Sequence, residues 1–463
     1  MDAAKVFGLV VAEALHKLRR ADKVGEEDGD GAGARFPRHS TAIITPHSRA
    51  TCYNLPAMAT EIRAARPDEL DRMHFVVAYS FTTDRTAEGR EGMRHIEEMA
   101  APFVLLEDGE IVACLRVFDF RMLVNGVPVP MGGVSSVACL PEYRRKGYVG
   151  MLLRHTLEEM REAGQPLSGL YTPHPALYRK YGWMVAASNL RYSFNPKQVT
   201  PYSSAPVRGR AARVTEEDQP LVEQVFRRYS ERRTGPLVRS ERWWKDAFFR
   251  RIYDDKRGLS DVAVWREGDG EATGYVCYET DRGPPPFRLS KVWLREFVAL
   301  TGDAYQGLLR YMLSHDLTEE IFWFGPHDDP LAYAVDDSYQ LKREYMDNMM
   351  LRVVDMESAV TARPPALGAP EGALSLGISD AAAPWNQGTW RIESSGGTLG
   401  ARKADGAADL LMEAATFAAV YDGFMKASDA VRSGLAEAQN GSAALLADRI
   451  FAPEYLPRGT DFF

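Results

Sequence analysis

Cysteine, long apolar runs and basic charge are all scarce in this sequence of 463 residues, and each shortage argues against a class of protein. The four cysteines lie far apart with no C-x-x-C pair, so neither a disulfide framework nor a zinc site is indicated, and a reducing cytoplasm is expected. No apolar run approaches the roughly 18 residues of a membrane-spanning helix. A net charge of −8 and a pI of about 5.7 argue against a broad nucleic-acid-binding surface.

What is present is the composition of an ordinary globular protein, with 45% hydrophobic and 26% charged residues. The length suggests about two to four domains of roughly 100–200 residues each. Near the N-terminus, GEEDGDGAGARFPRHS is polar and glycine-rich, and no basic start or small-residue cleavage site marks a signal peptide. We therefore expect residues 1–57 to be a disordered extension without a catalytic role.

An antiparallel-rich sheet with flanking helices is predicted from residue 58 onward. EIRAA is typical of a short strand, and PDELDRMHFVVAYSF begins with the proline and acidic residues that favour a helix start. The dipeptides Asp108-Gly109 and Asn125-Gly126 stand between apolar stretches and predict two short hairpins.

The stretch VACLPEYRRKGYVGMLLRH combines a strand, a basic loop and a helix that starts at Tyr148. Three cations and Gly147 precede that helix, where the macrodipole favours anions. Free N–H groups at a helix start bind phosphate oxygens, so the pattern favours a pyrophosphate ligand, with a solvated basic turn as the alternative. The P-loop pattern GxxxxGK[ST] and the dinucleotide pattern GxGxxG are both absent.

The same stretch resembles motif A of the GCN5-related (GNAT) acetyltransferases, in which R-x-x-G-x-G/A cradles the pyrophosphate of coenzyme A. Arg144 and Gly147 match that motif, whereas Val149 stands where a small residue is usual and Gly150 follows one place later. Further along, LYTPHPALYRKYGWMVAA resembles the Eis-type (enhanced intracellular survival) N-acetyltransferases. The similarity extends weakly to the last residue and is specific mainly in residues 134–190 and at the terminus.

This resemblance implies an α+β fold class with mixed sheets, built as tandem GNAT folds and a sterol-carrier-protein-like domain. The implied boundaries are 58–200 for the active GNAT domain, 201–362 for a degenerate one and 363–463 for the last domain. In the second, VALTGDAYQGLLRYML lacks the basic glycine loop, and Asp303 would repel a pyrophosphate. In the third, DLLMEAATFAAVYDGF is predicted to be helical, with more helix to about Leu446. The resemblance also implies a homohexamer.

Acetyl-CoA is the implied acyl donor, and no metal is implied. The predicted cofactor contacts come from the strand, the loop, the helix start and the turn before Tyr178: Val137, Ala138, Cys139, Arg145, Lys146, Gly147, Tyr148, Val149, Gly150, Pro173 and His174. Backbone N–H groups of residues 137–139 would also hold the oxyanion of the thioester. His174, flanked by two prolines, is expected mainly to shape its turn.

Two tyrosines are candidates for the general acid that protonates the departing thiolate. A tyrosine, with an ordinary pKa near ~10, is close to a thiol near ~8.5 and can perform this step. Tyr178 matches the general acid of the Eis-type enzymes, whereas Tyr171 ends a predicted strand and is expected in the core. Tyr181 matches an aromatic position that serves packing.

The general base implied by the resemblance is the carboxylate of the last residue, here Phe463 in PRGTDFF. Chain termini are usually disordered, so this role requires an anchored tail, which the aromatic ending favours. An α-carboxylate has an ordinary pKa near ~3.5, so burial would have to raise it for efficient proton abstraction.

The acceptor predicted by the resemblance is a small-molecule or lysine-like primary amine: an aminoglycoside, a polyamine or a lysine side chain, with an arylalkylamine as a further alternative. Asp84 and Asp461 could bind a cationic amine, and Phe81 and Phe103 either line the pocket or belong to the core. Two other functions stay open at this point. One is a catalytically inactive CoA-binding or assembly protein, and the other is a lipid carrier working through residues 370–463.

Overall fold

The computed structural model describes residues 59–253, 259–268, 270–283 and 289–463, which form three β-sheets. The extension expected at residues 1–57 lies outside these ranges, as does Cys52. Within the described ranges, no helix is both long and apolar enough to cross a membrane. The other three cysteines are buried.

The strands are numbered here in chain order. The first seven are β1 (Thr60–Ala64), β2 (Ala100–Glu107), β3 (Glu110–Val124), β4 (Val127–Cys139), β5 (Leu167–Leu170), β6 (Met184–Val185) and β7 (Ser188–Phe194). The next seven are β8 (Arg210–Arg213), β9 (Ser260–Glu267), β10 (Glu271–Asp281), β11 (Ser290–Ala299), β12 (Thr318–Pro326), β13 (Lys342–Asp347) and β14 (Met350–Val353). The last five are β15 (Gly372–Ser379), β16 (Gly388–Ser395), β17 (Thr398–Lys403), β18 (Leu410–Glu413) and β19 (Ala436–Ala438).

The α-helices of the described residues are numbered in the same way. Those up to β8 are α1 (Leu70–Ser80), α2 (Ala87–Glu97), α3 (Tyr148–Glu162) and α4 (Pro175–Arg179). The next group is α5 (Gln219–Ser230), α6 (Glu241–Trp243), which continues through a π-helical segment Trp244–Phe249 into α7 (Arg250–Tyr253), and α8 (Gly302–Leu313). The remainder are α9 (Leu331–Ala334), α10 (Met356–Ala362), α11 (Ala414–Tyr421), α12 (Ala427–Arg432) and α13 (Gly441–Ile450).

Both predicted hairpins are present, and they connect β2 to β3 and β3 to β4. Asp108 and Gly109 have φ values of 50° and 87°, and Asn125 and Gly126 have φ values of 46° and 80°. Positive φ at both turn positions is what a tight hairpin of this twist requires, and Asn, Asp and Gly tolerate it best. The sequence prediction of these turns is therefore confirmed.

Helices cover both faces of the first sheet, whose strand order is β1-β2-β3-β4-β5-β14-β6. On one face, α1 packs Met73, Val76 and Val77 against the sheet. On the other, α3 packs the apolar residues that recur at helical spacing, among them Leu153 and Leu157. Because both faces are buried, β2 and β3 are apolar almost throughout and lack simple alternation.

The first two sheets exchange strands. The second sheet has the order β13-β7-β12-β11-β10-β9-β8, so β7 leaves the N-terminal half and pairs between β12 and β13. In return, β14 pairs antiparallel with both β5 and β6 of the first sheet. Each sheet is thus completed by a strand from the other half of the chain.

The third sheet has the order β17-β16-β15-β18-β19, and two of its strands, β18 and β19, were not predicted from the sequence. The predicted helix over residues 409–424 is wrong at its start, because residues 410–413 form β18, which pairs parallel with β15. The predicted helical run to Leu446 is likewise interrupted by β19, and the last helix continues to Ile450. The apolar core of this domain is continuous with that of the first sheet: Met131, Leu351, Leu376 and Phe417 belong to one cluster.

Candidate functional site

A cleft opens in the first sheet where β4 and β5 diverge. The two strands pair in parallel at three positions, the last of which is Gly133 with Gly169. Beyond that point, residues 134–139 pair only with β3 among the described strands. Ser136, with a φ of 53°, lies in a β-bulge, where Ser136 and Val137 together stand opposite Leu115 of β3. Val137, Ala138 and Cys139 therefore border the cleft with backbone groups that β5 does not bind.

The basic loop after β4 ends in an uncapped helix start. A 3₁₀ turn at Pro141–Tyr143 is followed by Arg145 and Gly147, whose φ values are 66° and 86°. Gly147 is the N-cap of α3, and no side chain accepts a hydrogen bond from the first N–H groups of that helix. These groups have no intrahelical partners, so they can bind the oxygens of an anion.

The three cations of the loop have different surroundings. Arg144 donates from Nε to the carbonyl oxygen of Cys139 at 3.1 Å. Lys146 Nζ donates to both carboxylate oxygens of Glu107 at 3.0 Å. Arg145 is exposed. Glu107 lies at the end of β2 and belongs to no sequence motif, so its role was not predicted.

Glu107 also links the loop to the first residue of α3, because the Tyr148 hydroxyl donates to its carboxylate. This hydrogen bond and the ammonium of Lys146 lower the pKa of Glu107. Burial, together with the carboxylate of Glu107, raises the pKa of Tyr148 to about 12. The side chains of Lys146 and Tyr148 thus brace the loop, which leaves their backbone groups for a ligand.

The small residue of the motif is displaced by one position, and the structure provides a reason. A Cβ on Gly150 would collide with the hydroxyl of Tyr181, so this position requires glycine. Val149 is half-buried and packs at the edge of the α3 core. Arg154 lies 5.1 Å from the ring centroid of Tyr181 and holds it against the helix, in agreement with a packing role for this tyrosine.

Tyr178 lies on α4, directly after the carboxyl end of β5. The turn before it contains Pro173 and His174; His174 is exposed and acts as the N-cap of α4. The N–H of His174 donates to Thr172 Oγ1 at 2.9 Å, which fixes the turn. The Tyr178 side chain is buried, and burial raises its pKa well above the ordinary value, while a hydrogen bond with Thr172 acts in the opposite direction.

Phe463 packs where β4 and β5 begin to diverge. A Cβ on Gly133 would lie 2.9 Å from its ring, so the phenyl group covers the last paired residue of β4. Its ring centroid is 5.9 Å from Phe118, 4.9 Å from Phe120 and 5.3 Å from Tyr171. The residue is 7% exposed. The aromatic ending is anchored, as the sequence analysis required.

Hydrogen bonds hold the tail that leads to Phe463. The Arg458 side chain donates to Asn189 Oδ1 at 2.9 Å and to the carbonyl oxygen of Phe324 at 2.6 Å, both on strands of the second sheet. The Tyr171 hydroxyl donates to the carbonyl oxygen of Asp461 at 2.6 Å. Tyr171 is therefore a contact of the tail as well as a core residue.

Both aspartates suggested for binding a cationic amine have other partners. Asp84 is exposed and accepts a hydrogen bond from the N–H of Thr86 at 2.8 Å, at the turn before α2. The carboxylate of Asp461 is buried and accepts from Arg239 and Trp243. Arg239 and Trp243 were not predicted as partners of Asp461, because they lie more than 200 positions from it and belong to no motif.

Phe81 and Phe103 also have defined surroundings. Phe103 is buried in the core that α3 covers, with its ring 5.8 Å from that of His155. Phe81 is half-buried and packs beside the core under α1. Of the two alternatives given by the sequence, core packing describes both residues.

The equivalent helix start in the second sheet is closed by its own side chains. Thr301 caps α8 by accepting a hydrogen bond from the N–H of Ala304 at 3.0 Å. Asp303 lies in the first turn, 3.8 Å from Arg208. A capped, acidic helix start does not favour a pyrophosphate.

Models of known families match all three parts of the chain. An Acetyltransferase (GNAT) domain matches residues 61–186, and a second Acetyltransferase (GNAT) domain matches residues 235–353. A Sterol carrier protein domain matches residues 356–457. The fold class predicted from the sequence, tandem GNAT folds followed by a sterol-carrier-like domain, is confirmed.

Similar proteins cover most of the chain. An uncharacterized N-acetyltransferase of Streptomyces coelicolor is 29% identical over 396 residues, which are 81% of this chain and 93% of that protein. N-acetyltransferase Eis of Mycobacterium tuberculosis is 23% identical over 394 residues, covering 82% of this chain and 91% of Eis.

Solved structures agree on the fold. A GCN5-related N-acetyltransferase from Anabaena variabilis superposes with a TM-score of 0.77 at 22% identity, covering 88% of this chain and 100% of that one. Eis1 from Mycobacterium abscessus superposes with a TM-score of 0.72 at 22% identity, covering 87% of this chain and 100% of Eis1. The cleft, the loop and the tail described above therefore lie in a shared three-domain fold.

Proposed function

We propose that this Eis-like N-acetyltransferase, built from two GNAT domains and a sterol carrier protein domain, transfers an acetyl group directly from acetyl-CoA to a primary amine. In this reaction a C–N bond forms and the C–S bond of the thioester breaks. The amine loses a proton to a base, and the thiolate gains one from an acid. Neither a metal ion nor a covalent enzyme intermediate is needed for that balance.

The observation that carries the proposal is the position of Phe463 at the divergence of β4 and β5. Its ring covers Gly133, so the last residue of the chain packs against the strand whose backbone groups border the cleft. A base must be within hydrogen-bonding reach of the amine that it deprotonates. We assign this role to the Phe463 carboxylate.

Tyr178 is the proposed general acid. Burial raises its pKa, which keeps the proton on the hydroxyl until a thiolate develops nearby. The same burial makes tyrosine a weaker acid, but a thiolate in the same water-poor cleft is also a stronger base, so the two groups stay matched. Proton transfer and C–S cleavage would then proceed together.

The donor contacts proposed from the sequence have a physical basis in the loop. The uncapped N–H groups at the start of α3 would hold the pyrophosphate, with Gly147 allowing close approach and Arg145 adding charge. The unpaired edge of β4 at residues 137–139 would bind the pantetheine arm and the oxyanion. Pro173 and His174 would border the thioester from the turn before α4.

For the acceptor, we propose an amine attached to an apolar or aromatic body. The rings of Phe120, Tyr171 and Phe463 lie together beside the cleft and can hold a protonated amine by cation–π attraction. Asp461, which could bind a second amine of a polycation, is buried and already paired with Arg239. An arylalkylamine therefore fits better than an aminoglycoside with several amines.

The test is release of free thiol from acetyl-CoA across arylalkylamines, polyamines, lysine peptides and aminoglycosides. Tyr178→Phe and deletion of Phe463 should each lower kcat by about 10²–10⁴-fold, because the first removes the hydroxyl of the acid and the second displaces the terminal carboxylate by one residue. Tyr192→Phe is the matched control, since Tyr192 is a buried tyrosine of the second sheet, stacked on Trp323. Acetyl-CoA binding by calorimetry should be the same in all four proteins.

Absence of turnover on the whole panel, with acetyl-CoA still bound, would replace the enzyme with a CoA-binding or assembly protein. Full activity after deletion of Phe463 would remove the terminal carboxylate from the mechanism. The domain boundaries and the homohexamer stay predictions from the resemblance, and the cytoplasmic location stays a prediction from the cysteine usage.

A further inference from the structure

A buried array of charges connects the last residues of the chain to its second half. The carboxylate of Asp461 accepts hydrogen bonds from Arg239 Nε at 2.7 Å and Trp243 Nε1 at 2.8 Å. The other two nitrogens of the same guanidinium donate to the carboxylate of Glu296, as does the Tyr275 hydroxyl. The side chains of Arg239, Asp461 and Glu296 are only 1%, 5% and 9% exposed.

Aromatic rings pack against the guanidinium group of Arg239, in addition to the hydrogen bonds that its nitrogens donate. Its guanidinium carbon lies 3.8 Å, 4.5 Å and 5.0 Å from the ring centroids of Phe226, Trp244 and Phe248. Burial opposes the charge of Arg239, but the adjacent carboxylates outweigh burial and raise its pKa above the usual range. The planar fork of arginine donates in fixed directions to two carboxylates while its faces stack on rings, a geometry that the compact ammonium of lysine does not provide.

The segment that carries Arg239 is fixed to the strand that contacts Phe463. Two backbone hydrogen bonds of 2.8 Å join residues 236–238 to β3: Leu123 N–H donates to Pro236 O, and Val238 N–H donates to Arg121 O. The same strand carries the two phenyl rings that pack against Phe463. The segment that carries the guanidinium and the rings that contact the terminus are therefore joined through β3.

Stability alone does not account for this array. A buried ion pair contributes no more, in general, than apolar residues of the same volume, because desolvation offsets its Coulomb energy. Forked hydrogen bonds also fix the orientation of the carboxylates that they bind, whereas an apolar contact would not. Asp461 lies two residues before Phe463, so fixing its carboxylate restricts where the terminal carboxylate can point.

We propose that Arg239 is a positioning residue for the terminal carboxylate of Phe463 and acts through Asp461. The inference rests on the proposed function, since the orientation of that carboxylate matters for acetyl transfer only if it is the base. The second GNAT domain, whose own helix start is capped by Thr301, then contributes the clamp that holds the base of the first domain.

Removal of the tail's own carboxylate gives the sharpest test. In Asp461→Ala, Arg239 keeps Glu296 as its partner, so no buried charge is left unpaired; Arg239→Met is the second variant. Glu454→Ala is the matched control, because Glu454 is another ion-paired carboxylate of the tail. Its partner Arg232 is 64% exposed, and such exposed pairs contribute little.

Release of Phe463 by a carboxypeptidase, followed by mass spectrometry, measures anchoring without any substrate. We expect release about tenfold faster or more in Asp461→Ala and Arg239→Met, because proteolysis follows the population of the opened tail. In the thiol assay, kcat should fall about tenfold to a hundredfold, as expected for a misplaced catalytic group, with KM for acetyl-CoA within about twofold. Arg239→Lys should retain part of kcat, and Glu454→Ala should match the wild type.

Wild-type release and wild-type kcat in both variants would overturn the proposal. So would a lower kcat with unchanged release, because Asp461 would then act directly on the reaction. Faster release with unchanged kcat would reduce the array to an anchor and also reject a positioning role. Failure of the proposed function has a separate signature, full activity after deletion of Phe463, while the carboxypeptidase comparison still reports whether Arg239 holds the tail.

Discussion

The three cations of the loop between β4 and α3 differ in what already binds them. Arg144 donates to the carbonyl oxygen of Cys139, and Lys146 donates to Glu107. Arg145, held at a φ of 66°, is exposed at the uncapped start of α3. An incoming pyrophosphate would thus meet the guanidinium of Arg145 before the ammonium of Lys146, which must first leave a carboxylate.

We therefore expect Arg145→Met to weaken acetyl-CoA binding about tenfold, the value of one charge-assisted hydrogen bond. Lys146→Met, which removes the same formal charge, should weaken it by about twofold or less, since long-range attraction is screened by salt. Calorimetric titration of both variants at one fixed salt concentration measures the difference. An equal loss in the two variants would mean that Lys146 exchanges Glu107 for the ligand.

The sequence motif located this loop, but it could not show which of the three cations is available to bind a pyrophosphate. The availability of Lys146 depends on Glu107, which is 39 positions away in the sequence and contacts Lys146 only after β2 and β4 enter one sheet. The same is true of Arg239 and Asp461, which are 222 positions apart. Local patterns reveal residue types and spacing, whereas side-chain partners depend on tertiary contacts that one sequence does not display.

At the scale of elements, helix α3 has a left-handed glycine at each end. Gly147 at its start has a φ of 86° and Gly164 after its end a φ of 70°, and a Cβ on either would have open space. An added methyl group would thus strain the backbone without a clash in both places. Only Gly147 lies at the proposed pyrophosphate site.

Replacement of each glycine by alanine separates strain from binding. Gly147→Ala and Gly164→Ala should both lower the free energy of unfolding by about 1 kcal/mol, the cost of the left-handed conformation for a residue with a Cβ. Urea denaturation measures this cost. Only Gly147→Ala should also weaken acetyl-CoA binding, by about tenfold, as the N–H groups at the helix start shift. Equal binding by both variants would indicate that Gly147 serves the turn alone.

Elements with a strong local signature were predictable, and those without one were not. The Asp-Gly and Asn-Gly turns require positive φ, so the hairpins could be read directly from the sequence. Residues 410–413, in contrast, continue into an apolar helix without a turn residue between them. A short apolar run does not distinguish a strand from a helix, and β18 exists because β15 offers it an edge.

For the whole molecule, the exchange of β7 and β14 makes the two GNAT halves interdependent. A fragment ending at residue 200 would lack β14, which pairs with both β5 and β6, and would expose β7 without its partners. We expect this fragment to aggregate or to show no acetyl-CoA binding. Coexpression with the remainder of the chain should restore binding, measured by calorimetry on the purified complex. A fragment that binds acetyl-CoA on its own would show that the exchanged strands are dispensable.

The same strand exchange also affects folding during translation. Strand β5 ends at Leu170, but its neighbour β14 begins at Met350, so the nascent chain carries an open sheet edge while the intervening residues are synthesised. At about 5–20 residues per second this interval lasts roughly ten seconds or more. Throughout that time the nascent N-terminal half presents unpaired backbone groups at the edge of β5, and such an edge can pair with other chains until β14 is translated.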